Sequence, residues 1–324
     1  MSPETPPPRI LQICPSWDTA CGIANFAANL HDAAICQGAA IHTVAEPPAD
    51  LDGYDAALIQ HEKALYLRQP QRLHELLDRL QRAGLRRVLF AHSPLSPPLD
   101  HATDAYVAMC EGMIETDRPV HFMHHPCCEH VVVDRQALRK QLGLDRFRAV
   151  VASHGFVNPS RRFDQFVRRL APIAAESNVA ILLAVATNAR AQPASIRALE
   201  RLRAQAKRWP NVFVTHGYAP AGHVNALLQT ADLTWCWTNT PSRPYASGVA
   251  SDLYGGGARI VVADKLQHRA VCGRENVAVA PPDFEPFLEV LIDEMNAAAF
   301  PRHDPAGLSW PAAIPGLLNF LIGR

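Results

Sequence analysis

Side chains able to do chemistry gather in a few short stretches of this chain. One is the loop Pro15-Ser16-Trp17-Asp18-Thr19-Ala20-Cys21-Gly22-Ile23-Ala24, whose single glycine, Gly22, opens an apolar-periodic segment. A glycine at a helix start lets a phosphate or sugar come close to free N–H groups, although a plain helix start reads the same way. The loop is no G-x-G-x-x-G fingerprint, which argues against a dinucleotide oxidoreductase. Two further stretches, Gln60-His61-Glu62-Lys63 and Ala91-His92-Ser93-Pro94, each bring a histidine to the end of an apolar run. The last set lies in the second half: Gly155 to Arg162, with Arg161 and Arg162 adjacent, and Tyr245 to Asp252. Arginine can grip a diphosphate through two parallel charge-assisted hydrogen bonds. Ser247-Gly248 at a helix start offers N–H groups and partial positive charge, and Asp252 one turn later suits ribose hydroxyls. In outline this second-half set is a nucleotide diphosphate site.

The elements that must position these residues alternate. Arg9 to Cys14, Ile41 to Ala45, Ala56 to Gln60 and Arg87 to Ala91 are short apolar runs and are predicted strands. Between them, Gly22 to Gln37 carries Ile23, Phe26, Ala27, Leu30 and Ala34 at helical spacing, and Pro70 to Ala83 carries Leu73, Leu76, Leu77 and Leu80. Ser93 to His130 is less regular and rich in proline and histidine. The alternation then resumes with strands at Ala149 to Ser153, Val179 to Ala186, Val212 to Thr215, Asp232 to Trp237, Arg259 to Ala263 and Val277 to Ala280. Helices are predicted at Arg161 to Ala175, Pro193 to Arg208, Pro220 to Thr230, Ser247 to Gly255 and Phe284 to Asn296. Such alternation indicates parallel sheets covered on both faces. Open parallel sheets take ligands beyond the carboxyl ends of their strands, where all the stretches above fall.

At 324 residues the chain suits two lobes, with a seam expected near Leu142 to Arg148. Equal numbers of basic and acidic residues, 31 each, leave no global field toward nucleic acid or anionic lipid. Eight cysteines scattered through so long a chain read as reduced thiols. The Pro-rich start Met1 to Pro8 lacks the features of a signal peptide, and no run approaches the roughly 20 apolar residues of a membrane span, so a cytoplasmic location is expected.

The Cys21-Gly22-Ile23-Ala24 loop, the Tyr54-Asp55 to Gln60-His61-Glu62 strand, the Gly155 to Arg161 loop, Gly217-Tyr218 to Asp232, and the run Asp252-Leu253-Tyr254-Gly255-Gly256-Gly257-Ala258-Arg259-Ile260-Val261 together resemble the retaining GT-B glycosyltransferases of family four. The resemblance implies two Rossmann-like α/β domains facing a cleft: 1–145 on the acceptor side, 146–305 for the nucleotide-sugar donor, and a C-terminal helix in 306–324 packing back toward the first domain. It implies transfer of a sugar, as by a hexosyltransferase, from a nucleotide-diphosphate donor of UDP or GDP type, with retention. No metal ion or other cofactor is implied. Arg161 would hold the diphosphate, Ser247 and Gly248 would present amides to it, and Asp252 would bind the ribose. Gly22 would approach the donor, and His92 would be the catalytic contact to the transferred sugar. His61, Glu62 and His125 are candidate sugar or acceptor contacts. Of the two glutamates the family carries, Asp252 occupies the second position and Pro244 the first.

Other readings compete. His121-Phe122-Met123-His124-His125-Pro126-Cys127-Cys128-Glu129-His130 has zinc-ligand types without C-x₂-C spacing. Arg197, Arg201, Arg203, Lys207 and Arg208 read as a solvated helix face or as a patch for a nucleic-acid or lipid-linked acceptor. A catalytically silent sugar-binding or partner subunit, a viral-type DNA-base glycosyltransferase and a nucleotide-sugar epimerase are the alternatives in function.

Overall fold

The computed structural model describes residues 7–19, 21–66, 70–127, 133–187 and 192–323. Ala20, Cys128, Glu129 and His130, named above, lie outside them. In chain order the elements are β1 (Arg9–Ile13), α1 (Gly22–Cys36), β2 (Ala40–Val44), β3 (Ala56–His61), the single turn α2 (Lys63–Tyr66), α3 (Pro70–Arg82), β4 (Arg86–Ala91), β5 (Ala105–Ala108) and β6 (Val120–Phe122). Next come α4 (Arg135–Gln141), β7 (Ala149–Phe156), α5 (Phe163–Glu176), β8 (Val179–Ala186), α6 (Pro193–Arg208), β9 (Val212–His216), α7 (Ala221–Gln229), β10 (Leu233–Cys236), α8 (Gly248–Gly255), β11 (Arg259–Ala263), β12 (Val277–Ala280), α9 (Phe284–Met295) and α10 (Trp310–Leu321). None of the described helices is long and apolar enough to cross a membrane.

The chain divides into two compact units. The first holds a six-stranded parallel sheet in the order β2-β1-β3-β4-β5-β6. Its strands alternate between two apolar layers, as the period of two requires. Ile10 and Leu58 join Phe26, Leu30 and Ala34 of α1 on one face; Leu11, Ile13, Ala57 and Ile59 join Leu73, Leu77 and Leu80 of α3 on the other. α10 belongs to this unit: Trp310, Ile314, Leu317 and Leu321, one per turn, are buried in the α1 layer, and the helix accommodates Pro315. The second unit has the parallel order β12-β11-β10-β7-β8-β9. α5, α6 and α9 cover one face through Phe166, Leu170, Leu202 and Phe287, and α8 covers the other through Ala250, Leu253 and Tyr254.

Three expectations need correction. The first unit closes at Pro126, not at 145, and also takes 244–246 from the range expected for the second. α4 folds with the second unit, as Arg135 and Arg139 both pair with Asp232 at the head of β10. Asp232 also accepts the Val150 N–H at 2.7 Å, tying α4 to two central strands at one carboxylate. Second, the irregular stretch 93–130 supplies β5 and β6. β5 is four fully buried residues, too short for its periodicity to stand out. Third, α5 starts at Phe163 instead of Arg161, since Arg162 takes a left-handed conformation (φ 49°) before the helix and leaves Arg161 in the loop after β7.

Candidate functional site

In each sheet the order of strands reverses at one place, and there the loops from adjacent strands part to opposite faces and leave a crevice. In the second unit that place is between β7, which is followed outward by β8 and β9, and β10, which is followed by β11 and β12. The two strands pair Leu233 with Val151 and Thr234 with Ala152, and Ser153 Oγ donates to the Trp235 carbonyl at 2.8 Å.

Arg161 stands beyond the end of β7 at this point. Its Nη1 lies 3.6 Å from Cys236 Sγ and 3.5 Å from the Trp237 carbonyl oxygen, so the loop after β7 is tied across to the end of β10. Arg162 behaves differently: its guanidinium lies over the rings of Trp237 and Phe284 at 5.4 and 5.5 Å. There it lines a pocket of about 390 Å³ together with Asn239, Asp264, Lys265 and Asp283, beyond the ends of β10, β11 and β12.

α8 starts beside β7. Gly155 (φ 122°) lets the strand end pass so close that a Cβ there would meet Val249 Cγ2 at 3.1 Å. Ser247 caps the helix, its Oγ accepting the Ala250 N–H at 3.3 Å. The Ser247 N–H itself donates to the Gln267 carbonyl at 2.9 Å. The expectation that Ser247 presents an amide to a diphosphate is therefore corrected: that amide is used inside the fold, and the first helical residue after the cap is Gly248. Asp252, one turn further on, comes within 3.6 Å of His154 Nε2. His154 is buried, and burial, with the nearby Arg161 charge, pushes its imidazole down to about 4 while a hydrogen bond to the Val249 backbone works the other way. A neutral imidazole thus lies beside Asp252 and within the field of Arg161. Sequence reasoning missed His154. Its only signal was a polar residue near the carboxyl end of a buried strand.

The corresponding point in the first unit lies between β1 and β3. Gly22 opens α1, and a Cβ on it would meet nothing within 4 Å, so no neighbour in the fold demands a glycine there. Below it runs a hydrogen-bond chain whose direction is fixed by one carbonyl. Gln12 Nε2 donates to the Ala27 carbonyl (2.9 Å) and to Thr43 Oγ1 (2.8 Å), which leaves Gln12 Oε1 to accept from Gln60 Nε2 at 2.9 Å. Gln60 Oε1 must then accept from His92 Nε2, 2.6 Å away. His92 is accordingly the Nε2–H tautomer, with Nδ1 as its acceptor. Burial, reinforced by His125 and His61, pushes it down to about 3.

His92 and His125 both meet the ring of Phe26, one turn into α1, at 4.9 and 5.1 Å. His125 Nδ1 donates to the Pro126 carbonyl at 2.9 Å, and burial lowers it to about 4. His61 is buried and stacks on Tyr66 at 5.5 Å, its Nδ1 lacking a partner among the described residues. Glu62 follows it at the strand end, half-buried. The structure thus brings His61, His92 and His125 together in the first unit; in the second, Arg161 stands past β7, Gly248 opens α8 and Asp252 follows one turn later. Among the described residues no group of three or more His, Cys, Asp or Glu side chains is placed to hold a metal ion. Cys127, from the histidine- and cysteine-rich run, is buried, and burial pushes its thiol up to about 12.

No family model and no curated protein sequence matches the chain. Solved structures do. A sucrose-phosphate synthase from Thermosynechococcus elongatus superposes with a TM-score of 0.63 at 12% identity, covering 98% of this chain and 94% of that one. Anabaena HepE, in complex with UDP and glucose, gives 0.60 at 13% identity, covering 97% and 95%. An α,α-trehalose-phosphate synthase (UDP-forming) from Burkholderia xenovorans, in complex with glucose-6-phosphate, gives 0.55 at 12% identity, covering 93% and 74%. Identities this low establish architecture alone: the chain has the GT-B fold of these glycosyltransferases.

Proposed function

We propose that this protein is a glycosyltransferase that takes a hexose from a nucleotide-diphosphate donor of UDP or GDP type, with retention and without a metal ion. The observation that carries this reading is Arg161 at the switch point of the second sheet, past the end of β7 and tied to the end of β10, with α8 starting against Gly155 of β7 and Asp252 one turn into that helix. A guanidinium and helix-start amides are suited to the charge that develops on a departing diphosphate. Gly248 supplies an amide and Asp252 takes the ribose. In the first unit Gly22 leaves room at a second helix start, His92 contacts the transferred sugar, and His61, Glu62 and His125 offer polar contacts to sugar or acceptor. Because His92 stays neutral, it acts as a hydrogen-bonding group and carries no charge to the sugar. The UDP named in the HepE and trehalose-phosphate synthase structures supports uridine as the first base to test.

One observation favours a second reading, a nucleotide-sugar-binding subunit without transfer. Pro244 stands where the resembling family has its first glutamate, and the fold is shared with the N-terminal domain of Candida albicans trehalose-6-phosphate phosphatase (TM-score 0.57, 10% identity, covering 98% and 93%). Thermal shift with UDP, GDP, ADP, dTDP and their sugars separates the outcomes. One nucleotide is expected to stabilise the wild type by several degrees and to lose most of that effect in Arg161→Ala. A response to none of them refutes both readings, and binding without hydrolysis or transfer of any donor leaves only the second.

A further inference from the structure

Behind Arg161 lies a group of side chains that the nucleotide reading does not use. Cys236, the last residue of β10, is fully buried, as is His268, five residues past the end of β11. Cys236 Sγ is 3.5 Å from His268 Nε2 and 3.6 Å from Arg161 Nη1. His268 Nδ1 is 2.8 Å from the Ala263 carbonyl oxygen, which can only accept, so Nδ1 carries a proton and Nε2 is the nitrogen turned to sulfur. Sulfur therefore sits between an imidazole whose free nitrogen can take its proton and a guanidinium that cannot lose one.

We propose that Cys236, as a thiolate paired with the His268 imidazolium, is a positioning residue that anchors the Arg161 guanidinium for the diphosphate of the donor. This rests on the nucleotide-sugar reading of Arg161. The step is a proton transfer only: the S–H proton passes to His268 Nε2, and the pair as a whole keeps its charge. A neutral thiol is a weak acceptor, and a flexible arginine held by it and one carbonyl would lose much of its orientation. A thiolate makes the contact charge-assisted. Among the described residues both hydrogen bonds of the Arg161 guanidinium are made by Nη1, which leaves its Nε and Nη2 edge for two parallel hydrogen bonds to phosphate oxygens.

The electrostatics agree with the geometry. Burial alone would raise the Cys236 thiol, but His268 and Arg161 overcome it and bring the group down to about 6. Burial alone would lower His268, and the sulfur with the Ala263 carbonyl reverses that and raises it. The Cys272 thiol, raised first by burial, is raised further by the charge on Cys236.

Two measurements test the proposal. The first is thiolate absorbance near 240 nm in the wild type during a pH titration from 4 to 9, with Cys236→Ser as the reference. A component developing near pH 6 in the wild type and absent from the serine variant is expected. Thiols that all titrate in the ordinary range above about 8 overturn it, a result read on the wild type alone. The second is the Kd of whichever of UDP, GDP, ADP and dTDP the wild type binds. Cys236→Ser, nearly isosteric but not ionisable, is expected to weaken it about tenfold or more. Cys236→Ser combined with Arg161→Ala is expected to bind no worse than Arg161→Ala alone, since the cysteine acts only through the arginine. Wild-type binding with an unchanged Kd in Cys236→Ser, or losses that add in the double variant, overturns the role while leaving the nucleotide reading standing. A wild type that forms the thiolate yet binds none of the four nucleotides overturns both.

Discussion

Replacing Gln60 by leucine is expected to cost the first unit about 4 kcal/mol. Gln60 is fully buried and is the middle member of a chain whose direction follows from the Ala27 carbonyl: its Nε2 serves Gln12 Oε1 and its Oε1 serves His92 Nε2. Leucine is close to glutamine in volume, so no cavity term enters. What is lost is the partner of a buried acceptor on Gln12 and of a buried donor on His92. Each orphaned group costs about 1–3 kcal/mol, and the two together about 2–6. The assay is urea unfolding followed by tryptophan fluorescence, because Trp310 packs on Phe26 at 4.8 Å within the same unit and reports on it directly. With a slope of about 2 kcal/mol per molar for a unit of this size, the midpoint falls by about 2 M. Adding His92→Phe removes one of the two orphans, so the double variant is expected to recover about 1–3 kcal/mol. A loss below about 1 kcal/mol in Gln60→Leu, or a double variant less stable than the single one, would refute both the directed chain and the Nε2–H tautomer of His92.

Gly155→Ala places a side chain at φ 122° with its Cβ 3.1 Å from Val249 Cγ2, so a fall of about 2 kcal/mol in thermal unfolding is expected, together with weaker nucleotide binding as the first turn of α8 is displaced. An unchanged melting temperature would show that the strand end does not need glycine. Acid is expected to weaken the fold. His92, His125 and His154 sit at about 3, 4 and 4 in the folded protein, below the roughly 6.5 of an unfolded chain, so the unfolded state takes up protons first and stability drops as pH falls from about 6.5 toward 4. His268, raised in the folded state, opposes this as a single group. A melting temperature flat across that window would refute the neutral burial of the three.

Much of the fold was legible because a strand followed by a one-sided helix announces itself twice, by an apolar run and by a change of period. β1, α1, β3, α3 and β4 in the first unit, and β7 through α9 in the second, lie where the sequence places them, within a residue or two at most ends. The failures share a cause. β5 and β6 have four and three residues, and elements that short are decided by the neighbours they pair with. The seam was misplaced for the same reason: α4 buries no residue of its own, so hydrophobic pattern cannot assign it to a unit, and it is the contacts of Arg135 and Arg139 with Asp232 and with the Gln229 and Thr230 carbonyls that do so.

The candidate site divides along a similar line. Strand-end position singled out His61 and His92, and the chemistry of a loop arginine, a helix start and an acid one turn on singled out Arg161, Gly248 and Asp252, because open parallel sheets take ligands beyond the carboxyl ends of their strands. Tautomers, charges and contacts could not be read, because they depend on groups distant in sequence. Cys236 looks like one more apolar residue closing a strand, and becomes a candidate thiolate only when His268, 32 residues later, and Arg161, 75 residues earlier, meet its sulfur. Ser247 shows the converse. A serine before a helix reads as an open amide, but the Gln267 carbonyl comes from another element to claim it. Sequence therefore marks which strand ends carry chemistry. Which atoms remain free to perform it is decided by the long-range contacts that satisfy the rest.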